Sequence, residues 1–122
     1  MPCDGIAVLT ATLEQAQQAD LIEQALGAAV KARLLDRSGT LLLQVALPLP
    51  PGGTMPVKIA VKRSGRITAI TTSGTFEVGR DVLLAWLTQL RAGGIKTAGV
   101  RVETHRHDHH APQLAYTAQQ QR

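Results

Sequence analysis

The fold is decided by residues 57–72, whose sequence is VKIAVKRSGRITAITT. Apolar and polar side chains alternate on both sides of a short turn at residues 63–65, and this period of two places every second side chain on one face of a β-strand. The turn ends in Gly65, which can adopt the positive φ of a tight hairpin turn without steric cost. The stretch therefore predicts a β-hairpin whose strands, 57–62 and 66–72, share one apolar face.

A second hairpin is predicted directly upstream, with strands at 30–35 and 40–47 around the turn DRSG at residues 36–39. Both turns contain the tripeptide Arg-Ser-Gly, but so few other positions match that we interpret this as shared turn chemistry rather than an internal repeat. Between the hairpins, residues 48–56 are rich in proline and glycine. This composition predicts a surface loop that takes no part in a β-ladder.

Two segments show the spacing of apolar side chains that is typical of amphipathic helices. The first is predicted to begin at Thr12, where Gln15 completes a Ser/Thr-x-x-Glu/Gln capping box, and to end at Gly27. The second covers residues 81–92, with an aspartate at its start and two glycines after its end.

Strands are also predicted at 5–10 and 95–104, so the order of elements is β-α-β-β-β-β-α-β. The economical packing for this order is a single two-layer α+β domain, in which two helices lie on one face of an antiparallel-rich β-sheet. A chain of 122 residues is long enough for one such core and too short for two ordinary domains. We assign residues 1–110 to the domain and interpret residues 111–122, with their glutamine run, as a flexible C-terminal tail.

The composition favours a cytoplasmic protein without catalytic machinery. Cys3 is the only cysteine, which excludes an intrachain disulfide and a cysteine-based zinc site. The first residues lack the features of a signal peptide, and no apolar run approaches the length of a membrane span. Nucleotide-binding glycine loops and a nucleophile elbow are absent, and the carboxylates are scattered. We therefore expect no enzymatic activity, no cofactor and no membrane partner.

Positive charge is concentrated in the second half of the chain. Residues 1–53 contain three Lys or Arg and five Asp or Glu, a net charge of −2, whereas residues 54–122 contain ten and four, a net charge of +6. Four of these cations surround the turn of the hairpin quoted first: Lys58, Lys62, Arg63 and Arg66. They predict a binding site for an acidic partner, either nucleic acid or protein. The alternative is that the lysines only protect an edge strand against aggregation.

A histidine-rich segment, ETHRHDHH at residues 103–110, is the feature most suggestive of metal chemistry. If the last strand continues through it, alternation places three imidazoles on one face: His105, His107 and His109. Imidazoles bind zinc, nickel and copper, but no neighbouring residue is an obvious partner to orient the rings. Two interpretations stay open, an adventitious zinc or nickel site and a solvated histidine-rich strand end.

The sequence KIAVKRSGRITAITTSGT, residues 58–75, followed by a leucine-rich helix, resembles a family of small bacterial and phage proteins of unknown function. In that family a glycine-turned hairpin leads into a Thr-x-Gly bend and then a helix. The segment LIEQALG, residues 21–27, after an N-terminal strand is similar to small proteins of cyanobacteria and plastids. The resemblance implies an α+β fold and no activity. The chain departs from the family at Arg80 and Asp81, where a cysteine is expected at the start of the second helix.

These observations predict a non-enzymatic binding module that engages an acidic protein or nucleic acid through the basic hairpin. Only 2% of the residues are aromatic, which argues against recognition of single-stranded nucleic acid by base stacking. The alternative prediction is a homo-oligomeric structural or accessory protein, because the chain is short and aliphatic and has edge strands and a proline-rich loop.

Overall fold

Six strands and two helices build residues 5–106, the part of the chain that a computed structural model describes. The strands are β1 (Gly5–Leu13), β2 (Val30–Leu35), β3 (Leu41–Pro48), β4 (Thr54–Val61), β5 (Arg66–Thr71) and β6 (Thr97–Arg106). The helices are α1 (Ala19–Leu26) and α2 (Phe76–Ala92). The predicted order of elements is confirmed. The predicted domain end at residue 110 and the tail 111–122 lie outside the described residues.

All six strands form one antiparallel sheet in the order β2-β3-β4-β5-β1-β6. Strands β2 to β5 follow one another as a meander, and β1 then inserts between β5 and β6. Strands β2 and β6 are therefore the two edges, and the hairpin of β4 and β5 lies inside the sheet. Sequence alone did not predict this order.

One face of the sheet carries the core, which is aliphatic apart from Met55 and Trp86. Alternate side chains of β1, β3, β4 and β5 are buried on this face, as period-two alternation requires. Helix α2 covers it with buried leucines such as Leu83 and Leu90, and α1 adds Ile22 and Leu26. Both helices thus pack on the same face, which confirms the predicted two-layer α+β fold. The opposite face, which we call the open face, has no helix over it among the described elements.

The predicted helix start at Thr12 is wrong. Strand β1 continues to Leu13, whose N–H donates to the Gly65 carbonyl at 2.8 Å, and the Glu14 N–H donates to the Lys96 carbonyl at 3.0 Å. Because β1 has a partner strand on each side, the sheet satisfies these backbone groups better than a capping box would. A 3₁₀ turn at Ala16–Gln18 follows, and α1 begins only at Ala19.

The second helix begins five residues earlier than its predicted start at residue 81. Thr75 is its N-cap, and the Thr75 Oγ1 accepts a hydrogen bond from the Val78 N–H at 3.3 Å. The additional turn contains Gly79, a residue that weakens an isolated helix. Packing against the sheet compensates for this weakness, so α2 extends from Phe76 to Ala92.

The predicted loop at 48–56 is shorter in the structure, because β4 already begins at Thr54 and β3 extends to Pro48. Pro56 pairs with Ala46 although proline has no N–H to donate. Thr72 Oγ1 donates to the Pro56 carbonyl at 3.5 Å, so the carbonyl and the nitrogen of Pro56 point toward β5 and away from β3. Thr71 is the last residue of β5 that pairs with β4, so no strand residue faces the Pro56 nitrogen. The missing N–H therefore costs no ladder hydrogen bond.

Candidate interaction surface

Four elements meet at one end of the sheet and bring distant parts of the chain together. The β4–β5 turn lies against the end of β1, where Leu13 bonds to Gly65, and the end of β1 lies against the start of β6, where Glu14 bonds to Lys96. The β2–β3 turn lies beside the β4–β5 turn, because Leu41 pairs with Val61. This end of the sheet thus combines two hairpin turns and two strand ends.

Five exposed cations gather there, and we call this set the basic end: Arg37, Lys62, Arg63, Arg66 and Lys96. Two carboxylates, Glu14 and Asp36, belong to the same elements. Within residues 5–106, none of the five cations forms a salt bridge; the ion pairs that do form involve Arg33, Arg80 and Arg101. The basic end therefore presents a net positive charge to solvent.

The side chain of Arg63 lies between the two turns. Gly39 has a φ of 86°, in the left-handed region, and a Cβ added to it would lie 2.6 Å from Arg63 Nε and 3.2 Å from Arg63 Cδ. The side chain of Arg63 therefore lies directly against the backbone of the other turn. The two Arg-Ser-Gly tripeptides are neighbours in space.

The Asp36 carboxylate accepts hydrogen bonds from its own turn. Asp36 Oδ1 accepts hydrogen bonds from the Ser38 hydroxyl at 2.6 Å and from the Ser38 and Thr40 N–H groups, both at 2.9 Å. These bonds, the Ser38 hydroxyl first, lower the pKa of the Asp36 carboxyl below its ordinary value of 3.8. The carboxylate orders the turn that carries Arg37.

Replacing Asp36 by asparagine should give a stability loss that depends on pH. Because the folded pKa lies below the unfolded value, the ionised Asp36 contributes stability above pH 3.8, and that contribution disappears as the pH falls through the folded pKa. Urea unfolding of both proteins should therefore show a constant difference near neutral pH that narrows in the acid range. A difference that stays the same down to the lowest pH would contradict this role of the carboxylate.

Lys58 lies apart from the basic end. It is exposed on the open face, in the register row that joins Gln44, Lys58 and Ile70. Lys62, just beyond the end of β4, is four positions further along the chain, a distance of about 13 Å in an extended strand. The structure thus brings Lys62, Arg63 and Arg66 together, as the sequence predicted, and assigns Lys58 to a different part of the surface.

Two cations of the basic end, Arg37 and Lys96, were missed by the sequence reasoning. A signal existed for Arg37, because it opens the same Arg-Ser-Gly tripeptide as Arg63. No local signal existed for Lys96, whose position depends on β6 pairing with β1 rather than with a neighbour in sequence.

The predicted metal ligands are not tested by the described side chains. His105 lies in β6 opposite Ile6, but its side chain is not among those described, and His107 and His109 lie outside the described residues. Among the side chains that are described, no group of three His, Cys, Asp or Glu could hold a metal ion. The histidine site stays a prediction.

No protein family, no curated protein and no solved structure matches the chain. None of the helices within residues 5–106 combines the length and the apolar character needed to cross a membrane. What the protein does must therefore be inferred from its surface.

Proposed function

We propose that the chain is a non-enzymatic binding module that engages an acidic partner through the basic end. The observation that carries this proposal is the convergence of Arg37, Lys62, Arg63, Arg66 and Lys96 at one end of the sheet without salt bridges among the described residues. Bringing like charges together is unfavourable, and a counter-charged partner relieves that repulsion. Oppositely charged surfaces also accelerate association.

The position of the hairpin in the sheet weakens the competing explanation of edge protection. Lysines protect edge strands by discouraging pairing with another chain. Strand β4 lies between β3 and β5, and strand β5 lies between β4 and β1. The cations of their hairpin therefore protect no edge. Solvation alone leaves their clustering with Arg37 and Lys96 unexplained.

The double variant Lys62→Glu/Arg66→Glu should weaken binding to acidic probes at least tenfold at low ionic strength, a loss of about 1.4 kcal/mol. The probes are labelled oligoglutamate and oligothymidylate, and fluorescence anisotropy gives the dissociation constants. Wild-type binding should weaken as salt is added, because exposed charges are screened. Both residues are exposed, so the free energy of unfolding should change by no more than about 0.5 kcal/mol.

The matched control is Lys31→Glu/Arg80→Glu. These two cations lie away from the basic end, Lys31 near the start of β2 and Arg80 in the second turn of α2. Because Arg80 pairs with Asp81, thermal melting must show that the control stays folded before its binding is compared. Each double variant reduces the formal net charge from +4 to zero, so a non-specific charge effect would weaken both equally. Equal loss in the two variants, or retention of binding by Lys62→Glu/Arg66→Glu, would contradict the proposal.

A second candidate function, a homo-oligomeric structural protein, is favoured by one specific observation. Edge strand β2 ends in Leu34 and Leu35, which are 60% and 57% exposed. Exposed leucines on an edge strand favour pairing with another copy. Sedimentation equilibrium at micromolar concentration tests this candidate by comparing the masses of the wild type and Leu34→Lys. A wild type that is monomeric, with the same mass as the variant, would count against it.

A further inference from the structure

The open face contains a shallow groove of about 430 Å³. It crosses four neighbouring strands, from edge strand β2 to interior strand β5. Each strand contributes two residues of the open face, and Arg33, Leu43 and Ile59, whose side chains alternate to the other face, also line it. The side chains that project into it from the open face are Ala32, Leu34, Leu42, Gln44, Lys58, Ala60, Thr68 and Ile70.

Most of this lining is apolar, although an uncovered face of an antiparallel sheet ordinarily carries polar side chains. Leu34 is 60% exposed and Leu42 is 37% exposed, and the two face each other across the β2–β3 pair. Exposed apolar side chains that are contiguous, rather than scattered singly, are typical of interaction sites. The groove is thus suited to apolar groups of a partner.

Lys58 adds an unbalanced positive charge to the groove. On the open face of the described strands the only carboxylate is that of Glu103. It lies three strands away from Lys58, about 14 Å across the sheet. The register row that joins them runs through Ile70 and Val8. That carboxylate is already paired with Arg101. An occupant that complements the groove therefore carries its own carboxylate beside apolar groups.

An acidic protein segment fits these requirements better than nucleic acid does. Bases stack best on aromatic side chains, and the aromatic residues of the described structure, Phe76 and Trp86, both belong to α2 on the opposite side of the sheet. The guanidinium groups of the basic end lie outside the groove. Phosphate contacts at the basic end would leave Leu34 and Leu42 uncovered. In one protein segment, leucine side chains can fill the apolar groove and glutamate carboxylates can contact the cations.

We propose that the groove binds apolar side chains of an acidic protein segment, with one carboxylate on Lys58 and others extending to the basic end. This inference rests on the proposed function and specifies its partner class. It assigns Leu34, Leu42 and Lys58 to recognition of the partner, whereas the cations of the basic end supply long-range attraction.

The test compares three labelled probes by fluorescence anisotropy: a peptide of repeated Leu-Glu-Glu units, an oligoglutamate with the same number of carboxylates, and oligothymidylate. Wild-type protein should bind the Leu-containing peptide about tenfold more tightly than the oligoglutamate, because leucine side chains are buried in the groove. Leu42→Gln should remove most of this preference, whereas Lys58→Met should weaken the binding of both peptides, because both carry carboxylates that can contact the Lys58 ammonium. Leu42→Gln should leave oligoglutamate binding unchanged, and thermal melting should show that both variants remain folded.

The inference is overturned if the two peptides bind equally, if Leu34→Gln and Leu42→Gln both keep the preference, or if oligothymidylate binds more tightly than the Leu-containing peptide. These outcomes leave the proposed function standing, provided that Lys62→Glu/Arg66→Glu still weakens oligoglutamate binding. Failure of that charge reversal would instead overturn the proposed function. The two failures are therefore distinguishable in one set of measurements.

Discussion

Replacing Gly79 by leucine should lower the free energy of unfolding by about 2 kcal/mol. A Cβ at Gly79 would lie 2.9 Å from Thr71 Oγ1, 3.0 Å from Thr71 Cγ2 and 3.1 Å from Ala7 Cβ, so no space exists for a larger side chain between α2 and the sheet. Overpacking of this kind costs about 3 kcal/mol at the upper end of its usual range. The higher helix propensity of leucine returns about 1 kcal/mol, so destabilisation dominates.

Urea unfolding measures this effect, and Gly93→Ala is the matched control. A Cβ at Gly93 would meet only the Leu90 and Gln89 carbonyls, at 3.5 and 3.6 Å, which are ordinary contacts. We expect that control to unfold close to wild type. If Gly79→Leu were as stable as wild type, helix α2 could not lie on β1 and β5 as described.

The substitution Thr71→Val should cost about 1–3 kcal/mol, because it leaves a buried donor without a partner. Thr71 is fully buried, and its Oγ1 accepts a hydrogen bond from the Ala7 N–H at 2.8 Å. Valine has nearly the same shape but no acceptor, so the Ala7 N–H would stay unsatisfied in the core.

Two further substitutions separate this hydrogen bond from a general effect on the sheet. Thr71→Ser keeps the hydroxyl and should recover much of the lost stability. Thr68→Val lies in the same strand but on the open face, where it is only half-buried, and should change the stability by less than about 0.5 kcal/mol. Equal effects of Thr71→Val and Thr68→Val in urea unfolding would refute the role of the hydroxyl.

Alternation and turn chemistry predicted the two hairpins because both signals are local. The strand-turn-strand stretch 57–72 contains its apolar face and its turn glycine within sixteen residues. The same local reasoning failed at Thr12, where the capping-box pattern is present but backbone partners next to both neighbouring strands, Gly65 before β5 and Lys96 before β6, extend β1 instead. It also failed at Pro56, because the cost of a proline depends on which way its nitrogen points in the sheet.

The candidate site also contains residues that the local sequence predicts and residues that only the strand order brings together. Lys62, Arg63 and Arg66 surround one turn, so their proximity follows from the sequence of the hairpin. Arg37 and Lys96 join them only through the strand order, which places the β2–β3 turn and the start of β6 at the same end of the sheet. The groove around Lys58 is less predictable still, since it requires four strands in register and a face that both helices leave open.

Backbone amide chemical shifts of the ¹⁵N-labelled protein, recorded during titration with the Leu-Glu-Glu peptide, test the central claim most directly. If an acidic partner binds at the basic end, the largest shift changes will fall on residues 36–40, 62–66 and 95–97, and they will disappear at high salt. Smaller changes should extend along the groove to residue 58. Changes concentrated on α1 or on the outer side of α2, or spread evenly over the protein, would contradict the account.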